Sequence, residues 1–236
     1  MSLLTLVQDT CDLLALPRPT IVINSTDDQV RQLHAICVEE ADDLVASFNW
    51  QALLRQHTFV TVAAPEQVDA IPSDLDRFIP NSFFNRTTRR PVLGPISPQL
   101  WQNIQANPQI NRVILAYRER DGAFLITPNP PADQTIGFEY SSNEWAVSAL
   151  GDFTYTKWNA DTDTSFVSEK LIKLGARWRW RKAKGLPYNE DYDTYQQQKE
   201  QIQARDGGST VLNLTGGGDW VYVGNPSVPE TGFGAA

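Results

Sequence analysis

Apolar residues recur with helical spacing in two separate parts of the chain, at its start and again after residue 164. Residues 3–15 and about 27–49 place apolar side chains at i, i+3, i+4 and i+7, which is the pattern of amphipathic helices. Residues 166–184 and about 188–204 show helical patterns as well, the second of them largely polar. The chain is therefore predicted to have two N-terminal and two C-terminal helices.

The segment between these helices has the patterns of β-strands and turns. From His57 onward, Thr residues alternate with Phe and Val in "HTFVTVAA", which favours a strand. Asp121-Gly122 lies between two apolar runs, and this dipeptide is a good signal for a β-hairpin. Up to about residue 160 we expect mostly strands and little helix.

These patterns predict an α+β fold with a helical bundle core. Neither helix pair can bury a sizeable core alone, so the four helices should pack together around one core. The expected divisions are the N-terminal helices, a β-rich insertion, the C-terminal helices and an extended, flexible tail, over residues 1–56, 57–160, 161–205 and 206–236.

The tail is rich in glycine, and alone it should be flexible. It contains two short β-like runs, one of which is "DWVYV". Such a run can add a strand to an exposed sheet edge of a partner. The expected docking residues are Trp220, Val221, Tyr222 and Val223.

Composition narrows the class of protein. The chain has 236 residues, of which 41% are hydrophobic, and this suits one large folded domain or one domain with an insertion. It has neither an apolar run of about 18 residues nor a basic leader before an apolar segment. Two cysteines are too few for a disulfide scaffold. Synthesis in the cytoplasm, with no membrane association, is the expectation.

The sequence shows no motif for catalysis or for cofactor binding. Phosphate-binding and nucleophile-elbow patterns are missing from the printed sequence. His34 and Cys37 lie one helical turn apart, but two ligands do not make a zinc site. We therefore expect no enzyme activity, no metal and no cofactor.

Charge is distributed unevenly along the chain. The net charge is −8, yet residues 170–184 contain seven basic residues and no acidic one. On a helix, five of the seven fall on one face. These residues are Lys170, Lys173, Arg177, Arg181 and Lys184, and they are called the basic row below.

Three interpretations of the basic row remain open. It could bind nucleic acid, although the negative field of the whole chain would oppose the approach of DNA. It could be a solvated face paired with nearby acids such as Glu190, Asp191 and Asp193. It could also be an electrostatic interface with an acidic neighbour, whether a sister subunit or another protein. Duplex binding that weakens steeply with salt would favour the first.

One stretch resembles a known family. Residues 69–104 contain an Ile-Pro-x-Asp step with Pro72 and Asp74, followed by "PVLGPISPQLW", which includes Pro95 and Trp101. Upstream, Trp50 closes a predicted helix, and a strand follows at once. This order of elements resembles the head-to-tail adaptor, or tail tubular connector, proteins of short-tailed bacteriophages.

The resemblance implies a structural virion protein at the head–tail junction. Such adaptors form a ring, commonly of twelve copies, below the portal protein. They attach the tail nozzle and line the passage for the genome, which passes without specific binding. This chain departs from smaller members in its long β insertion and its C-terminal tail, so the contacts of both parts stay open.

Overall fold

The structure is a computed structural model that describes residues 1–106 and 115–207. Its helices in these ranges include all four that the sequence predicted, with ends shifted by a few residues. A fifth helix lies inside the β-rich segment. The helices are α1 (Leu3–Leu13), α2 (Asp28–Ser47), α3 (Pro98–Ala106), α4 (Glu169–Ala183) and α5 (Asn189–Asp206).

The strands of the described residues form three antiparallel sheets. The strands are β1 (Leu54–Val60), β2 (Glu66–Gln67), β3 (Leu75–Phe78), β4 (Phe84–Asn85), β5 (Arg90–Pro91), β6 (Ala116–Arg120), β7 (Ala123–Thr127), β8 (Thr135–Ser142), β9 (Ala146–Val147), β10 (Thr154–Tyr155) and β11 (Thr164–Ser165). The first sheet has the order β1-β8-β4-β5, and β3 also pairs with β8. The other two have the orders β2-β7-β6 and β10-β9-β11. The longest pairing joins β1 and β8, from Leu54 opposite Ser141 to Val60 opposite Thr135.

The predicted hairpin at Asp121-Gly122 is present between β6 and β7. Both turn residues have positive φ, 57° for Asp121 and 71° for Gly122. A two-residue turn with this backbone matches the twist of antiparallel strands. Asp and Gly tolerate the left-handed conformation better than most residues, which explains why the dipeptide marks the turn.

The predicted helical bundle core is wrong. A four-helix bundle buries an apolar stripe from every helix in one shared core, but the buried apolar residues here form two clusters. The second cluster comes entirely from the β-rich segment and includes Phe83, Phe124 and Phe138. Trp145 and Trp158, which also lie in the β-rich segment, belong to the first cluster. The described residues do not form a bundle of two N-terminal and two C-terminal helices.

The polar sequence of α5 explains part of the difference between the predicted bundle and the observed fold. Its buried residues are Asp191 and Tyr195, so it has no apolar stripe to place in a common core. Instead α4 is the central helix, because α1, α2 and α5 each pack against it. The fold is α+β, with α1, α2 and α5 packed around α4 and a separate core in the β-rich segment.

Candidate assembly surface

The basic segment lies on α4, whose other face is buried. Leu171, Ile172, Ala176 and Trp180 are all at most 4% exposed. Of the two tryptophans on α4, Trp180 is therefore the buried one. The basic side chains lie at the edges of this buried face, and from there they contact the neighbouring helices.

Two members of the basic row hold α5 against α4. Arg177 and Arg181 each contact the carboxylate of Asp191 at 2.6 Å. The side chain of Asp191 is only 7% exposed, so water competes weakly for these contacts. The row thus contributes to the subunit's own packing, through one of the acids that the second interpretation named.

Arg179, which is not part of the basic row, joins α4 to α2. Its guanidinium contacts Glu40 at 2.7 Å, Glu39 at 2.8 Å and also Asp43. Glu40 is fully buried. Burial raises the pKa of Glu40, while hydrogen bonds from Tyr195 and Arg179 oppose that rise. Sequence reasoning had not linked this arginine to the acids of α2, which lie some 140 residues earlier.

The other three members of the basic row have different partners. Lys173 contacts Asp9 of α1 at 3.2 Å. Lys170 donates to the side-chain amide oxygen of Gln198, and Lys184 donates to that of Gln32. Of the five cations, three therefore rest on acids of the same chain and two on neutral amides. The role of the row as an interface between proteins stays a prediction.

Several motif residues behind the family resemblance are structural. The indole N–H of Trp50 donates to the carbonyl of Leu44 at 2.7 Å and closes the end of α2. Trp101 is buried on α3. Pro95 follows a cis peptide bond from Gly94, and the carbonyl of Pro72 accepts the N–H of Leu75.

Asp74 joins the strands of the largest sheet. Its carboxylate accepts hydrogen bonds from Tyr140 at 2.9 Å and from Ser142 at 2.8 Å, both on β8. Arg55 of β1 contacts Asp74 at 2.5 Å and also Glu144 at 3.1 Å. Burial opposes ionisation of Asp74, but these hydrogen bonds and the Arg55 charge outweigh it and lower its pKa.

The predicted docking residues Trp220 to Val223 lie outside the described residues, as does the tail beyond residue 207. The residues just before this segment are described. The carboxylate of Asp206, at the end of α5, accepts the backbone N–H of Gln51 at 2.8 Å. The tail therefore begins beside the residues that lead into β1.

The described residues include no helix that is long and apolar enough to cross a membrane. They also contain no group of three or more His, Cys, Asp or Glu residues that could hold a metal ion.

The described residues thus form an α+β fold in which charged side chains join the helices and Asp74 joins strands of the largest sheet. A family model described as "SU10 adaptor protein" matches residues 1–215. Because the match covers most of the chain, the chain belongs to this family of phage head-to-tail adaptors. The resemblance predicted from the motifs is therefore confirmed. A search of curated proteins found no match.

Proposed function

We propose that copies of this chain form a ring that joins the portal protein to the tail nozzle of a phage particle. Membership of the adaptor family carries this proposal. The ring would have twelve copies, as the resemblance implies, and would line the passage for the genome at the head–tail junction. A closed ring needs two different, complementary surfaces on each copy.

The acidity of the chain supports passage of DNA without tight binding. A net charge of −8 repels phosphates at long range. The basic row offsets this only in part, because Lys173 contacts Asp9, and Arg177 and Arg181 share the carboxylate of Asp191. Nucleic-acid binding through residues 170–184 is therefore the weaker alternative.

The basic row nevertheless offers two cations for a partner. Lys170 and Lys184 are exposed and hydrogen-bond to neutral amides, and among the described residues neither forms an ion pair with an acid. Lys173, Arg177 and Arg181 would contribute through the same face while holding the helices in place. We expect the acidic surface of a sister subunit or of the portal to meet this face.

Reversing the two exposed charges tests the interface. The variant Lys170→Glu with Lys184→Glu should assemble with the portal roughly tenfold more weakly, about 1.4 kcal/mol, and its melting temperature should stay close to that of the unmodified chain. Mass photometry of adaptor–portal mixtures measures the assembly.

A matched control distinguishes the effect of the substituted positions on assembly from the effect of the net charge. Lys157→Glu with Arg120→Glu changes the net charge equally at two exposed positions away from α4. We expect it to assemble normally. If both double variants assemble alike, the row has no role at the interface.

A further inference from the structure

The strand β1 has an open edge in the described part of the chain. All seven of its residues pair with β8, and none of the other described strands pairs with it. The backbone hydrogen bonds of the described residues reach β1 from that one side. An open strand edge is a template for a further strand.

This edge lacks the features that usually prevent strand addition. Natural edge strands are blunted by Lys, by Pro or by a bulge, but "LRQHTFV" contains neither Lys nor Pro. The register with β8 is continuous along the whole strand. Its single charged residue, Arg55, is held by Asp74 and Glu144. The exposed residues on the outer face are Gln56, Thr58 and Val60.

The sequence of the chain itself contains a suitable strand-forming run. After Gly207, which follows the contact between Asp206 and Gln51, 29 residues remain. Among them Asp219–Val223 is rich in aromatic and β-branched residues, has no Pro, and lies between glycines. This composition favours an extended strand.

The geometry points to the β1 edge of one copy as the binding site for residues 219–223 of a neighbouring copy. This inference rests on the proposed ring. The eleven residues 208–218 can extend by roughly 36 Å, which is longer than β1 at about 23 Å, so the run can leave its own subunit. Each copy then provides one strand and one edge, the unlike pair of surfaces that a ring requires.

Strand addition makes a specific prediction about alternation. In an added strand, Trp220 and Tyr222 face one side, and Val221 and Val223 face the other. Only one pair can lie on the same face as Gln56 and Thr58. Residues at every second position of the run 220–223 should therefore contact Gln56 and Thr58, and the residues between them should not.

Cysteine cross-linking in rings assembled with the portal tests this. Gln56→Cys or Thr58→Cys is combined with Cys at each position from 220 to 223, and the rings are mildly oxidised. The native Cys11 and Cys37 are free and buried, so they add little background. We expect covalent multimers on non-reducing gels, with yields that rise and fall at every second position.

The control combines Cys at Val221 with Leu150→Cys, because Leu150 is 87% exposed on a loop outside β1. This pair should not cross-link. Rings that form normally but give no multimers, or give multimers without alternation, would overturn the inference and leave the proposed ring intact. Cross-links within single chains would also overturn it. If the unmodified chain forms no ring, the proposed function fails, and this inference fails with it.

Hydrogen exchange provides a second readout. The amides of β1 on the open side should exchange readily in the isolated subunit and become protected in the ring. Protection that is already complete in the isolated subunit would show that its own chain covers the edge, contrary to the inference.

Discussion

At the scale of single residues, Asp74 joins several strands of the largest sheet. The carboxylate ties β1, β8 and the start of β3 together through Arg55, Tyr140 and Ser142. Burial and the hydrogen bond to Asp74 also raise the pKa of Tyr140 to about 12. The Pro-x-Asp step therefore fixes the arrangement of the largest sheet.

Replacing Asp74 tests this role. Asp74→Asn should lower the free energy of unfolding at pH 7 by about 2 kcal/mol, because hydrogen bonds to a charged group are lost. The pKa of Asp74 is lowered in the folded chain, so its stabilisation is complete above about pH 4 and is lost as the pH falls through the folded value. Urea unfolding at several pH values measures the difference.

The neighbouring Asp76 provides the control. It pairs with Arg77 near the surface, where both side chains are about a third exposed. Such pairs contribute about 0–1 kcal/mol, so Asp76→Asn should have a small effect. If Asp74→Asn and Asp76→Asn lower the free energy of unfolding equally at neutral pH, Asp74 does not stabilise the sheet as described above.

At the scale of elements, Gly175 allows α4 to pack closely against α2. A Cβ at this position would lie 2.1 Å from the carboxyl carbon of the buried Glu40. In an open helix, Gly→Ala stabilises by up to about 1 kcal/mol. The structure predicts the opposite here, a loss of about 1–3 kcal/mol from overpacking.

The side chain of Glu40 is the cause, so removing it should relieve the penalty. In the Glu40→Ala background, Gly175→Ala should cost much less than in the unmodified chain. Thermal and denaturant unfolding of the four variants measure this coupling. An equal cost in both backgrounds, or stabilisation in the unmodified chain, contradicts the close packing of α2 and α4.

Local patterns predicted local structure well. The helical periods located α1, α2, α4 and α5, and the Asp-Gly turn located the hairpin. The helix α3 was missed, although Ser97 accepts the N–H of Leu100 at 3.2 Å and Pro98 occupies the first helical position. Ser-Pro followed by Trp101 and Ile104 was the available signal. The prediction for that segment was mostly strands and little helix.

Long-range pairing could not be predicted from one sequence. The bundle was wrong because α5, already largely polar in the sequence, has no apolar stripe to bury, and because residues of the β-rich segment form a core of their own. The attraction of Arg179 to Glu39, Glu40 and Asp43 acts between residues far apart in sequence. No local pattern states whether opposite charges meet within one chain or between two chains.

At the scale of the whole molecule, much of the charge contrast is used inside the subunit. Three cations of the basic row contact acids of the same chain, and in our proposal the exposed Lys170 and Lys184 meet a partner. The open edge of β1 and residues 219–223 are the second pair of surfaces that we propose. Both proposals address one requirement, that each copy in a ring presents two unlike faces.

The most direct test is an image reconstruction of the purified adaptor bound to its portal. The account predicts a closed ring, with Lys170 and Lys184 of α4 at a protein–protein boundary and the channel free of ordered contacts between α4 and DNA. A strictly monomeric chain with no affinity for the portal, or a particle in which α4 lies against the genome, would contradict it.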